Sequence, residues 1–104
     1  MFGLVVRFMC KDGSAATAFD TLVTPIVERI RGEEPGTLVF AVHRVEGRPL
    51  ERILYELYRD KGAFEEHASK DYIEDFAAAR EAYVSAAEVD WLDLVTGTGT
   101  GTGA

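Results

Sequence analysis

The chain has little from which to build a covalent or metal-held scaffold. Its 104 residues include a single cysteine, Cys10, and two histidines. One thiol cannot close an internal disulfide, so a reducing cytoplasm is the expected setting. Two histidines without a cysteine pair give no metal-ligand spacing, and no metal is expected. Positive charge is also scarce: 11 Lys and Arg stand against 18 Asp and Glu, a formal charge of −7. Phosphate binding needs a basic footprint, so no nucleic-acid partner is expected. No apolar run approaches membrane-spanning length. The start, Met1-Phe2-Gly3-Leu4-Val5-Val6, has no basic segment ahead of its apolar residues, so neither a signal peptide nor a membrane partner is expected. A phosphate-cradling loop is missing too, because the Gly-Thr repeat at the end of the chain lacks the strand-to-helix context such a loop requires.

What remains is a core. Hydrophobic residues make up 47% of the chain and aromatics 11%, which at this length sustains one domain without disulfides. The alternating Gly and Thr of residues 96–104 offer no apolar side chain to bury. A domain over residues 1–95 and a flexible tail over 96–104 are the expected division.

Phe2 to Cys10 is rich in Val and Phe and reads as a strand covered on both faces. Lys11-Asp12-Gly13-Ser14 is turn chemistry, with Ser14 as the expected N-cap of a helix from Ala15 to Arg31. Phe19, Leu22, Val23, Ile26, Val27 and Ile30 form its apolar stripe. Pro25 falls within it, which predicts either a kink or a break with Thr24 capping a second segment. Glu34-Pro35-Gly36 turns the chain into a strand over Thr37 to Val45, and Glu46 to Pro49 connects it to a third strand over Glu51 to Arg59. Asp60 caps a short helix through Phe64 and His67, and Ser69 caps another reaching about Ser85. Glu88 to Val95 closes as a strand. The order is that of an α+β, ferredoxin-like βαββαβ sandwich. Two helices cover one sheet face, so a second copy of the chain is expected on the other, as a homodimer.

The candidate chemistry centres on Leu54-Tyr55-Glu56-Leu57-Tyr58. Glu56 and Tyr58 are two apart and share a strand face with Leu54, so the carboxylate needs a partner, a solvated cavity or a task. His67 is the candidate proton acceptor, since an imidazole titrates near neutrality. Glu56 is read as the group that orients it, or as half of a structural ion pair with Arg44, Arg52 or Arg80. Tyr58 and Tyr72 are candidate cavity walls, with core or interface packing as the alternative. His43 could face the same cavity or be a packing residue. Trp91 could stack on a flat substrate or fill an interface. Cys10 reads as an inert buried thiol.

Glu34-Pro35-Gly36, Tyr55-Glu56-Leu57-Tyr58 and Ala63-Phe64 followed by His67 resemble the antibiotic-biosynthesis-monooxygenase-like domains, over roughly Val5 to Val95. The resemblance implies a dimeric α/β barrel in which two ferredoxin-like sheets face each other. It implies a cofactor-free monooxygenase acting on an aromatic anthrone or quinol with O2. His67 and Glu56 would be catalytic, and Tyr58, Tyr72, His43 and Trp91 would bind substrate. The branch that isomerises a small phosphorylated carbonyl signal is a second expectation, because Tyr stands at position 58 where the oxygenases commonly have Trp. A non-catalytic ligand-binding or stress-response dimer is a third. Haem degradation is disfavoured, since Val5 or Val6, Tyr58 and Phe76 occupy the positions of that branch's Asn, Trp and His.

Overall fold

The computed structural model describes residues 1–99; the remainder of the expected tail, 100–104, lies outside the described residues. Strand β1 (Phe2–Cys10) leads to helix α1 (Gly13–Glu33), then β2 (Thr37–Val45), β3 (Arg48–Tyr58), α2 (Lys61–Ala68), α3 (Asp71–Ala79), a 3₁₀ turn (Arg80–Ala82) and β4 (Val84–Asp93). The four strands form one antiparallel sheet in the order β2-β3-β1-β4. This is the ferredoxin-like α+β fold.

Local chemistry explains most of the boundaries. Asp12, not Ser14, caps α1: its carboxylate accepts from the Ala15 amide at 2.7 Å, which a carboxylate does more strongly than a hydroxyl. Helix α1 runs on through Pro25. Pro25 is exposed, so the carbonyl it leaves without a helical donor faces water rather than the core. Thr24 caps no second segment; its hydroxyl donates back to the Asp20 carbonyl at 2.7 Å. The β2–β3 hairpin closes on Glu46-Gly47 alone, with Gly47 at φ 77°, a conformation that glycine adopts without steric cost. Asp60 caps α2 by accepting from the Ala63 amide at 2.8 Å. Ser69 closes α2 instead of opening α3, its hydroxyl donating to the Glu66 carbonyl at 2.7 Å. Helix α3 ends at Ala79, and β4 begins at Val84, earlier than the expected Glu88.

Strand alternation then sorts the side chains. Leu4, Val6 and Phe8 of β1 face the helices together with Leu54, Glu56 and Tyr58 of β3. Phe19 of α1 is completely buried among them, its ring 5.3 Å from Phe8 and 5.9 Å from Phe76. A ring this enclosed contributes about 3–5 kcal/mol relative to alanine. The guanidinium of Arg52 grips Asp20 of α1 through two bonds of 2.7 and 3.0 Å, which fixes that helix to β3. On the opposite face Val5, Met9, Val39, Ala41, Ile53 and Tyr55 are half-buried and Leu92 is exposed. The cover predicted on both sides of β1 is therefore present on one side only within a single chain.

Candidate active site

The site begins at the turn between α1 and β2. Glu34 is the C-cap residue of α1, its amide donating to the Ile30 carbonyl at 2.9 Å. Its own carbonyl accepts from the Thr37 amide at 3.0 Å, so the backbone folds round and the side chain is left facing inwards, 6% exposed. Gly36 permits the next contact. A Cβ at that position would lie 2.7 Å from the Cβ of Ala63, closer than two carbons can approach, so only glycine lets the turn touch the first turn of α2. The Gly36 carbonyl also receives the Arg59 amide at 2.9 Å. With α2 seated against the turn, His67, in the last turn of that helix, comes alongside Glu34.

The result is a buried chain of polar groups. Nδ1 of His67 lies 2.7 Å from Oε1 of Glu34. The Thr37 hydroxyl donates to the same oxygen at 2.7 Å, and the Tyr72 hydroxyl donates to Oε2. On the other side of the imidazole, Nε2 lies 3.8 Å from Oε1 of Glu56, and that oxygen accepts from the Tyr58 hydroxyl at 2.6 Å. Glu34, Glu56 and His67 are each at most 6% exposed.

The two carboxyls are tuned in opposite directions. Burial alone would push Glu34 up, but hydrogen bonds from Tyr72, Thr37 and His67 outweigh it and hold the group below the usual carboxylate range. Glu56 has one hydrogen-bond donor in Tyr58, and there burial wins and pushes the carboxyl up. Tyr58 is raised by burial and then by the adjacent Glu56, and Tyr72 by burial and then by Glu34. Both phenols therefore stay protonated and act as donors. Glu34, as a carboxylate, can only accept, so the proton on the neutral imidazole sits on Nδ1. Nε2 is left as the basic nitrogen. At 3.8 Å it is beyond hydrogen-bonding distance of Glu56, free to take a proton from something else.

That something would occupy a cavity of about 330 Å³ between the helix-facing side of the sheet and α2 and α3. Its wall is strongly aromatic, with Phe8, Phe40, Phe64, Phe76 and Trp91 set around Glu56 and His67. The His67 ring is packed in place, its centroid 5.2 Å from Tyr58 and 5.6 Å from Phe40. Among the described residues no group of three or more His, Cys, Asp or Glu side chains could hold a metal ion.

The family model for antibiotic biosynthesis monooxygenase matches residues 1–79. The chain belongs to the antibiotic biosynthesis monooxygenase family. Solved structures of the same fold extend the likeness to nearly the whole chain. A structure of a protein titled as of this family, from Caulobacter crescentus, is 24% identical with a TM-score of 0.85, covering 91% of this chain and 90% of its own. Rv0793 from Mycobacterium tuberculosis is 20% identical with a TM-score of 0.84, covering 93% of this chain and 97% of its own. A Nitrosomonas europaea structure titled likewise is 18% identical with a TM-score of 0.84, covering 92% of this chain and all of its own. No curated protein matches this family member.

Within this family framework the residues singled out from sequence fall into four groups. His67 and Glu56 meet at the cavity, but the orienting bond expected from Glu56 is made by Glu34. Tyr58 and Tyr72 belong to the site as donors to the two carboxylates and are not on the cavity wall. Trp91 lines the cavity from β4 and is 59% exposed. His43 is separate: it is exposed on β2 and lines a different hollow with Asp20, Thr24, Arg44 and Arg52. Glu34 was visible in the sequence as the first residue of a Glu-Pro-Gly turn, which disguised a buried acid as loop chemistry. No helix among the described residues is long and apolar enough to cross a membrane.

Proposed function

We propose that this chain is a cofactor-independent monooxygenase that oxidises an anthrone- or quinol-type aromatic with molecular oxygen. The observation that carries the reading is the imidazole of His67, bonded to the Glu34 carboxylate through Nδ1 and presenting Nε2 to an aromatic-walled cavity. An orienting carboxylate fixes the tautomer and stabilises the imidazolium that forms when Nε2 takes a proton. The acidic C–H or O–H of an anthrone or quinol supplies that proton. The resulting carbanion or phenolate passes one electron to O2, giving a substrate radical and superoxide. Their recombination forms a C–O bond and leaves a peroxide anion, which takes back the proton from the imidazolium to become a hydroperoxide; loss of water from it leaves a carbonyl. One O2 is consumed, one oxygen atom enters the product and the other leaves as water.

Aromatic walls support this reading over the isomerase. A phosphorylated substrate would need a basic cluster at the cavity, whereas a single arginine among the described residues, Arg80, lines it and Arg52 and Arg44 both meet Asp20 outside it. Mass spectrometry of product formed under ¹⁸O2 by metal-stripped protein is the test. One labelled oxygen per product supports a monooxygenase, and unlabelled product sinks the reading.

The apolar face opposite the helices supports a homodimer, with the second copy's sheet lying against it to complete a barrel. Sedimentation equilibrium at low micromolar protein should give the mass of a pair; a well-behaved monomer contradicts this.

A further inference from the structure

Among the described residues, Arg80 is the one arginine without a carboxylate partner within 4.0 Å. Every other arginine meets an Asp or Glu side chain within 4.0 Å. Arg80 instead stands where α3 gives way to the 3₁₀ turn, its guanidinium carbon 4.9 Å from the ring centroid of Phe8 and 5.1 Å from that of Phe76. It is half-buried and lines the same cavity as His67 and Glu56.

Stacking on two rings has physical consequences. The π faces of Phe8 and Phe76 attract the cation and hold its carbon in place, while its N–H groups make no hydrogen bond to a protein acceptor among the described residues and remain available. Burial and the two rings remove much of the water that would otherwise satisfy them. Five in-plane donors, with no protein acceptor among the described residues, match the two oxygens of a carboxylate better than any neutral group. Glu56 and Glu81 attract Arg80 through space, but neither is close enough to pair with it: Glu56 is bonded to Tyr58, and Glu81 is exposed. The overall negative charge of the chain is no obstacle at contact distance, because charges beyond a Debye length of about 8 Å are screened at physiological salt.

We infer that Arg80 determines specificity in this cavity and binds a carboxylate carried by the aromatic substrate, at the end of the ring system remote from the atom deprotonated by His67. A single fork suits a monoanionic, planar carboxylate, and would leave much of the charge of a phosphate dianion uncompensated. The substrate class narrows accordingly to anthrone- or quinol-type aromatic acids. Burial holds the guanidinium below its ordinary range, but an arginine remains a cation.

Arg80's role rests on this cavity being the substrate site proposed above, yet it can be measured without turnover. The probes are 2-naphthoate and its neutral isostere 2-naphthamide, titrated calorimetrically into the wild type, Arg80→Gln and Arg80→Lys. The wild type should bind naphthoate ~10- to 100-fold more tightly than naphthamide, the range of a charge-assisted bond. Arg80→Gln should lose that preference and keep its naphthamide affinity, which also shows that its cavity is intact. Arg80→Lys keeps the charge without the fork and should retain only part of the preference. Equal binding of both probes by the wild type, binding of neither, or an undiminished preference in Arg80→Gln or Arg80→Lys would overturn the assignment. A naphthoate preference in a protein that oxidises no quinol would remove the monooxygenase reading and leave Arg80 in place. Oxidation of neutral quinols without that preference would do the reverse.

Discussion

Replacing Glu34 by Gln isolates the electrostatic part of the site, because the side chain keeps its length and loses its charge. Three donors converge on the carboxylate: the Thr37 hydroxyl and His67 Nδ1 on Oε1, and the Tyr72 hydroxyl on Oε2. In the variant the amide can turn either its oxygen or its NH2 towards His67, and the Thr37 and Tyr72 hydroxyls, which both donate and accept, can follow either orientation. What is lost is the charge in each bond. Hydrogen bonds to charged groups are worth roughly 1 kcal/mol more than neutral ones, so the three together forfeit about 2–3 kcal/mol. For a domain of this size that lowers Tm by about 10 °C. Glu34→Ala strands all three donors and should cost more, ~3–5 kcal/mol. Activity should fall more steeply than stability, since an amide no longer fixes the Nδ1–H tautomer or offsets the imidazolium. The expected loss is about 100-fold in kcat with little change in KM. The assays are urea unfolding and a long-range ¹H–¹⁵N spectrum of the histidines, of which there are only two. In the wild type Nδ1 of His67 should be protonated and Nε2 bare, and Glu34→Gln should populate the other tautomer. Unchanged stability together with an unchanged tautomer would refute the claim that Glu34 holds His67.

Gly36→Ala puts a methyl group 2.7 Å from the Cβ of Ala63, pushes the turn away from α2 and should cost ~1–3 kcal/mol; thermal unfolding at wild-type stability would show that the contact relaxes freely. Tyr58→Phe removes the 2.6 Å donor from Glu56 and leaves a buried carboxyl without it, at about 1–3 kcal/mol, measured by denaturant unfolding. Stability should also fall in acid. Glu34 and Asp20 both lie below the usual carboxylate range when folded, Asp20 chiefly through its hydrogen bonds from Arg52. Their stabilisation is complete above the ordinary carboxylate pKa and is lost as pH drops through the lowered folded values. Glu56, raised by burial, contributes with the opposite sign, favouring the fold most in acid and losing that contribution as pH rises. A pH series of unfolding midpoints should therefore show a flatter acid limb in Glu34→Gln than in the wild type, and identical limbs would contradict the assignment.

The sequence disclosed the fold better than the site, for a physical reason. Strand alternation, the Asp60 cap and the Glu46-Gly47 turn are written in neighbouring residues, so β1 to β4 and the helices between them could be placed in order. Boundaries slipped where two capping side chains competed, as with Asp12 and Ser14, or where a polar residue closed one helix instead of opening the next, as with Ser69. The site depends on contacts between distant residues. Glu56 and Tyr58 share a strand face and were recognisable as a pair. Glu34 and His67 are 33 residues apart, and nothing in their immediate neighbours says that a glycine without a Cβ lets one helix reach the turn at the end of another. For the same reason the alternation of β2 placed His43 on a face without showing that the cavity lies on the other.

The central claim, that His67 is the base that starts the oxidation, is tested most directly by oxygen uptake with metal-stripped wild type and His67→Ala. Both are offered anthrones and naphthohydroquinones, including carboxylated ones, without flavin or nicotinamide. The account predicts uptake above autoxidation in the wild type and a loss of about 100-fold or more in His67→Ala, the usual contribution of a positioned base. Wild-type uptake that survives in His67→Ala to within a few-fold would contradict it.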